Sequence, residues 1–215
     1  MQKSVPSIVV LISGRGSNLS AILAHSQTFG DYRVSAVLSN RPDAAGLDFA
    51  QMHGIPTAVV DHKQFSDRDA FDAALAAQID TFDADLVVLA GFMRILTPGF
   101  VSHFEGRLVN IHPSLLPAFP GLNTHQQALD AGVRLHGATV HLVTAQLDHG
   151  PILDQAIVQV QPNDTATSLA DRLLKLEHRM YPRAIAAFAN GRIRVENGIV
   201  VGSLEAPLIF EMEKS

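Results

Sequence analysis

Two hydrophobic periods alternate along the first half of the chain. Residues 8–12, Ile-Val-Val-Leu-Ile, form a β-branched run of strand length, and Leu19, Ile22 and Leu23 beyond it recur at helical spacing. The cycle repeats as a strand over 34–38, a helix near 44–53, a strand over 57–60 and an alanine-rich helix ending near Asp80. Ser66 and Asp69 read as a capping box at the start of that helix. Leu86-Val-Val-Leu89 suits a strand buried on both faces, and it runs out into Gly91-Phe-Met-Arg-Ile-Leu96. Such alternation predicts βαβ units with right-handed crossovers, and so an α/β fold with a mostly parallel, doubly wound, Rossmann-like sheet.

The second half opens on another strand, 108–112, in which Asn110 and His112 interrupt apolar Leu108, Val109 and Ile111. Side chains two apart share a strand face, so an amide and an imidazole emerge together where the strand ends. Pro113, Pro117 and Pro120 then stiffen the loop that follows. A helix over 124–131 precedes strands over 136–143 and 152–160, joined by the turn-forming run 144–151, which makes an antiparallel C-terminal part of the sheet. A long helix is expected from Asp164 or Thr165 to about Asn190, with Pro182 kinking it or marking a join. Asn197-Gly198 between two β-branched runs signals a hairpin. With no repeat and no linker, the chain reads as one domain with halves of about 1–105 and 106–190 and a hairpin over about 191–203.

Composition narrows the class. The chain has 215 residues, of which 47% are hydrophobic and 17% charged, enough for a real core. The net charge of −5 and the lack of a basic run give a nucleic-acid backbone nothing to hold. No cysteine is present, so disulfides, thiolate nucleophiles and thiolate metal ligands are excluded. The five-residue apolar run near the start is too short for a signal core or a membrane span. A cytoplasmic location with no membrane partner is expected.

Two constellations carry chemistry. Gly14-Arg-Gly-Ser-Asn18 lies between a strand and a helix, where backbone N–H groups and the helix dipole favour a phosphate; the alternative is a tight turn needing φ > 0. A dinucleotide is disfavoured, because the third glycine is replaced by Leu19 and strand two ends in Ser39-Asn40 rather than in an acid. The second constellation is Asn110 with His112, which can donate hydrogen bonds to an oxygen that turns negative during acyl transfer; the alternative is an ordinary polar strand end. Asp148, in the turn-rich connection, would favour the charged imidazole if it lay beside His112. His125, His136, His141 and His149 are expected to be solvated, with no ligand spacing on one element and no metal. Ser114 lacks the turn that would expose a nucleophile. Arg68 and Arg94 are candidate carboxylate clamps, and Glu177 lies on a helix with Tyr181 one turn on.

Asn110-Ile-His112-Pro-Ser-Leu-Leu-Pro117, Pro120-Gly121 and Leu147-Asp148 with Gly150-Pro151 resemble the folate-dependent formyltransferases. Ser13-Gly-x-Gly-Ser-Asn18 and Ala90-Gly-Phe-Met-Arg-Ile-Leu96 narrow the likeness to the phosphoribosylglycinamide formyltransferase family, over about 8–182. The resemblance implies transfer of a formyl group from 10-formyltetrahydrofolate, a co-substrate, to the amine of glycinamide ribonucleotide in purine synthesis. Asn110, His112 and Asp148 would be catalytic. Gly16, Ser17, Asn18 and Glu177 would bind the ribonucleotide. Folate would meet Arg68, Met93, Arg94, Ile95, Leu96 and Asn110 together with Thr144, Ala145, Gln146, Leu147 and Asp148. Arg15, Ala118, Asn123 and Leu174 depart from the family pattern.

Three rivals use related residues or a weaker reading of them. A formyltetrahydrofolate hydrolase would take water as acceptor, but resembles this core with an added N-terminal domain. A methionyl-tRNA formyltransferase would add a basic C-terminal domain. A non-catalytic phosphate-binding module would leave Asn110, His112 and Asp148 without work.

Overall fold

Every residue of β1 (Ser7–Ile12) is buried in the computed structural model, which describes residues 4–202, 204 and 208–209. The chain divides into two units: one runs to Asn110 and takes in Val143–Ala145, and the other holds Ile111–Leu142 and continues from Gln146.

In the first unit β1 pairs in parallel with β2 (Arg33–Ser39) on one side and with β4 (Leu86–Leu89) on the other. β3 (Thr57–Val59) lies beyond β2, and β5 (Leu108–His112) starts beyond β4, again in parallel. The chain therefore winds outward from β1 in one direction and then in the other. That reversal places a topological switch point between β1 and β4, where open α/β sheets gather ligands at the strands' carboxyl ends. Four helices, α1 (Ser17–Phe29), α2 (Ala45–Met52), α3 (Arg68–Asp80) and α4 (Pro98–His103), supply the crossovers.

The unbroken apolar runs follow from cover on both faces. Val9, Leu11, Leu38, Val87 and Leu89 join Phe71 and Leu75 of α3 and Phe100 of α4 in one cluster. Ile8, Val10 and Ile12 point the other way and are buried as completely. α2 lies so close to that face that a Cβ on Gly46 would stand 2.5 Å from Cδ1 of Ile12, which only glycine avoids.

One local expectation is corrected in this unit, and one short helix is added to it. α3 is capped by Asp67 rather than Ser66: the Asp67 carboxylate accepts the Ala70 N–H at 2.8 Å, and Ser66 Oγ donates to Asp67 at 3.0 Å. Asp67 has the extended backbone that a cap needs, one residue nearer the first turn. α4 had no counterpart in the periodicity because it is six residues long; its signal was Thr97 as cap with Pro98 at the first helical position.

The second unit contains α5 (Thr124–Asp130), antiparallel β6 (Leu135–Leu142) and β7 (Ile152–Gln159), and α6 (Ala166–Ala189). β8 (Ile193–Glu196) and β9 (Ile199–Gly202) form the hairpin, with Asn197 and Gly198 both at positive φ, as a type I′ turn requires. Position 203 of the expected hairpin segment lies outside the described residues. β10 (Leu208–Ile209) pairs in parallel with β7.

α6 is one helix through Pro182, neither broken nor joined there. A proline removes one hydrogen bond, but Leu169, Leu173, Leu176, Met180, Tyr181, Ala184 and Ile185 bury a continuous face on both sides of it, and that packing outweighs the roughly 3 kcal/mol a helix-interior proline costs. Thr165 and Ser168 close a capping box at its start. Arg183 on α6 and Asp154 on β7 add a two-pronged ion pair at 2.8 and 3.0 Å. The architecture is thus α/β, with a mostly parallel, doubly wound sheet and an antiparallel C-terminal part.

Candidate active site

β1 ends at the glycine turn that opens α1. Gly16, at φ 73°, is the N-cap of α1; no side chain caps that helix and its first turn contains no acid. Such an N-terminus carries the positive end of the helix dipole and exposed N–H groups, the chemistry that suits an anion. Ser17 is exposed there and Asn18 is buried.

The loop after β4 lies beside that turn. Ser13 N–H donates to the Gly91 carbonyl at 3.1 Å. Within the loop the side chains alternate: Met93 and Ile95 are 74% and 61% exposed, while Arg94 and Leu96 turn inward. The Arg94 guanidinium sits over the Phe71 ring, 5.5 Å from its centroid, within cation–π range. Phe71 stands one turn from exposed Arg68 on α3, so the two arginines belong to one end of that helix. Two bare apolar side chains with a cation beside them suit a flat heterocycle carrying a carboxylate tail. Val143 N–H donates to the Leu108 carbonyl at 2.8 Å, which sets Thr144 and exposed Ala145 next to β5.

Asn110 and His112 occupy the end of β5 as the alternation requires, Asn110 half-buried and His112 buried. In the second unit His112 Nε2 donates to the Phe119 carbonyl at 3.0 Å. Its Nδ1 faces the Asp148 carboxylate at 3.5 Å. That is long for a hydrogen bond but within ion-pair reach when the imidazole is protonated, and the two side chains are each 7% exposed. Asp148 Oδ2 also accepts the Gly121 N–H at 2.9 Å, so one carboxylate serves the imidazole and the proline loop. The connection thus brings Asp148 to His112, with exposed Gln146 and Leu147 just before it. Glu177 lies on α6, buried, one turn from Tyr181.

Ser114 has a structural use: its Oγ donates to the Ala118 carbonyl at 2.6 Å. Thr139 Oγ1 donates to the Ser114 carbonyl at 2.7 Å and accepts the Leu116 N–H at 3.0 Å. Gln155 adds bonds to Thr139 and to the Leu116 carbonyl. The loop after His112 is therefore braced by a buried polar network as well as by its prolines. The Leu116–Pro117 peptide is cis.

The histidines correct another expectation. His149 is exposed, but His136 and His141 are 1% and 2% exposed, not solvated. His141 Nδ1 donates to the Leu142 carbonyl, and burial pushes its pKa down against the raising effects of that bond and of Asp148. His125 and His136 share a hydrogen bond at 3.0 Å, which needs a lone pair on one of them. Burial first, then the neighbouring His125 and His112, push His136 down to about 4; burial lowers His125 as well. Among the described residues no three His, Cys, Asp or Glu side chains are grouped to hold a metal ion, and no helix is long and apolar enough to cross a membrane.

Sequence reasoning missed the Phe119 carbonyl and the Gly121 amide, because backbone groups leave no mark in the sequence. It also missed Thr139 and Gln155, which look like ordinary strand positions until the loop is folded against them.

Comparison with known proteins decides the family. The formyl transferase profile matches residues 7–185. The chain belongs to the formyl transferase family. It is 50% identical to phosphoribosylglycinamide formyltransferase of Escherichia coli over 190 residues, 88% of this chain and 90% of that protein. Among solved structures, phosphoribosylglycinamide formyltransferase of Coxiella burnetii superposes with a TM-score of 0.89 at 46% identity, covering 97% of this chain and all of that one. A formyltetrahydrofolate deformylase from Pseudomonas syringae has a TM-score of 0.83 at 31% identity, covering 93% of this chain and 66% of that chain. This formyl transferase family member is a transferase of the one-carbon class.

Proposed function

We propose that the chain moves a formyl group from 10-formyltetrahydrofolate to the amine of 5′-phosphoribosylglycinamide, in the cytoplasm, as a step of purine synthesis. The observation that carries this reading is the Asp148 carboxylate 3.5 Å from His112 Nδ1, at the end of the strand that carries Asn110. An uncharged strand end could bind a carbonyl; a paired imidazolium stabilises the anion formed when that carbonyl is attacked.

The substrate amine attacks the formyl carbon, and the carbonyl oxygen takes the electron pair. Asn110 Nδ2 and the His112 Nε2–H donate to that oxyanion, His112 exchanging its present acceptor, the Phe119 carbonyl, for the developing charge. As the intermediate collapses, the bond to folate N10 breaks and the new amide bond remains. The attacking nitrogen loses one proton and N10 gains one, relayed by a water at Asp148. No enzyme nucleophile is consumed, which fits the engaged Ser114 hydroxyl and the absence of cysteine.

Gly16, Ser17 and Asn18 take the ribonucleotide phosphate at the α1 N-terminus, and Glu177 takes ribose hydroxyls. The pterin lies against Met93, Ile95 and Leu96, with Thr144, Ala145, Gln146 and Leu147 along its other edge and Asn110 and Asp148 at the formyl end. Arg68 and Arg94 face the glutamate carboxylates. The deciding experiment is acceptor dependence. Tetrahydrofolate should appear only when 5′-phosphoribosylglycinamide is supplied; equal release without it would make the protein a formyltetrahydrofolate hydrolase.

A further inference from the structure

Ser13, at the start of the glycine turn, has no part in the proposed chemistry. Ser13 is buried, immediately after β1, and its hydroxyl makes two hydrogen bonds: to Asn40 Oδ1 at 2.6 Å and to the Met93 N–H at 2.8 Å. The direction of both is fixed. An amide oxygen only accepts and a backbone N–H only donates, so Ser13 O–H must donate to Asn40 and its oxygen lone pair must accept from Met93.

Asn40 is itself held in place. It is 2% exposed, and the His62 Nδ1–H donates to its main-chain carbonyl at 2.8 Å. It stands at the end of β2, the position where a dinucleotide site would place an acid for ribose. Here its side chain instead orients the Ser13 hydroxyl. The Ser13 backbone adds a second tie to the same loop through its N–H to the Gly91 carbonyl at 3.1 Å. All these residues lie in the first unit.

We propose that Ser13 is a positioning residue for folate: through the Met93 amide it fixes the segment 93–96 against the turn after β1, so that the bare Met93 and Ile95 side chains keep the face on which the pterin lies. The need for such a tie follows from that segment's composition. Met93 and Ile95 gain nothing from solvent, and without a fixed amide they would fold inward and close the apolar face. The Ser13 backbone bond reaches only Gly91, two residues short of Met93, so the hydroxyl is what sets the segment's course. The proposal rests on the formyl-transfer reading for the identity of the ligand, but not for the Met93 tie.

The test compares wild type with Ser13→Ala and Ser13→Thr, the second retaining a hydroxyl. Amide exchange at Met93 is followed by NMR, tetrahydrofolate binding by calorimetry, and turnover under steady-state conditions. Ser13→Ala should lower Met93 protection and weaken tetrahydrofolate binding, each about tenfold, as expected for loss of one buried hydrogen bond. The KM for the folate substrate should rise in step, with kcat at saturation and the KM for the ribonucleotide each within about threefold of wild type. Ser13→Thr should recover both readouts.

Unchanged Met93 protection in Ser13→Ala would overturn the tie itself. Lost protection with unchanged tetrahydrofolate affinity would leave Ser13 structural and overturn its role for the ligand, as would a fall in kcat and thermal stability with no change in folate KM. Failure of the wild type to bind tetrahydrofolate would defeat the formyl-transfer reading and the folate role with it, while Met93 exchange would still report on the tie.

Discussion

Asp148 holds His112 from a left-handed backbone: its φ is 51°, and from there Oδ2 reaches to 3.5 Å from the His112 Nδ1 while accepting the Gly121 N–H at 2.9 Å. An L-residue in that conformation is strained by about 1 kcal/mol, less for aspartate than for most. A replacement can separate the two duties. An asparagine in this place would still accept from Gly121 and tolerate the backbone, but would carry no charge. Asp148→Asn should therefore fold as wild type does and lose roughly 10²- to 10⁴-fold in kcat. Near-normal turnover across the pH range would remove Asp148 from the mechanism.

The start of α3 gives a sharper test of local reading. If Asp67 alone caps the helix, Asp67→Ala should lower the midpoint of urea unfolding clearly and Ser66→Ala should lower it much less. The Ala70 N–H first, and then the Ser66 hydroxyl, hold the Asp67 carboxyl below the usual carboxylate range. Equal losses in the two variants would restore the shared capping box that Ser66 and Asp69 suggested.

The same pair shows what the sequence could and could not disclose. Period and turn chemistry marked β1, β4, β5 and the Asn197-Gly198 hairpin, because each expresses a local preference. Ser66 and Asp67 are both good caps, and only backbone conformation chooses between them. The proximity of Asp148 to His112 depends on how a connection between two strands folds back, which no local pattern encodes; family resemblance supplied that expectation. His136 and His141 were misread as solvated because a histidine in an alternating strand shows no sign of which face will be covered. Thr139 had a use only once its hydroxyl met Ser114 and Leu116.

His136 gives the pH dependence a direction. Its pKa falls from 6.5 in the unfolded chain to about 4 in the fold, first through burial and then through His125 and His112. The unfolded chain binds the proton more readily, so acid favours unfolding. Stability should be complete above pH 6.5 and fall as pH drops toward 4, by about 3 kcal/mol from this group if the whole shift is realised. His136→Gln should flatten that part of the curve in urea titrations at fixed pH steps. An identical acid slope in wild type and variant would mean that other groups, His125 and His141 among them, carry the loss.

Asp154 and Arg183 raise the question of what a buried ion pair contributes. Their side chains are 4% and 15% exposed, and the guanidinium reaches the carboxylate through Nε at 2.8 Å and a terminal nitrogen at 3.0 Å. Burial still pushes the Asp154 carboxyl above its ordinary pKa, against the lowering by Arg183, so desolvation outweighs the attraction on that side. Breaking such a pair strands a charge, whereas removing both charges relieves the desolvation. Arg183→Leu should cost about 3 kcal/mol in unfolding free energy at neutral pH and regain part of that as the pH is lowered and Asp154 takes up a proton. The double variant Asp154→Leu/Arg183→Leu should lie within about 1 kcal/mol of wild type, since two leucines restore apolar packing between β7 and α6. A double variant as unstable as Arg183→Leu would show instead that the pair is a net stabiliser of that contact.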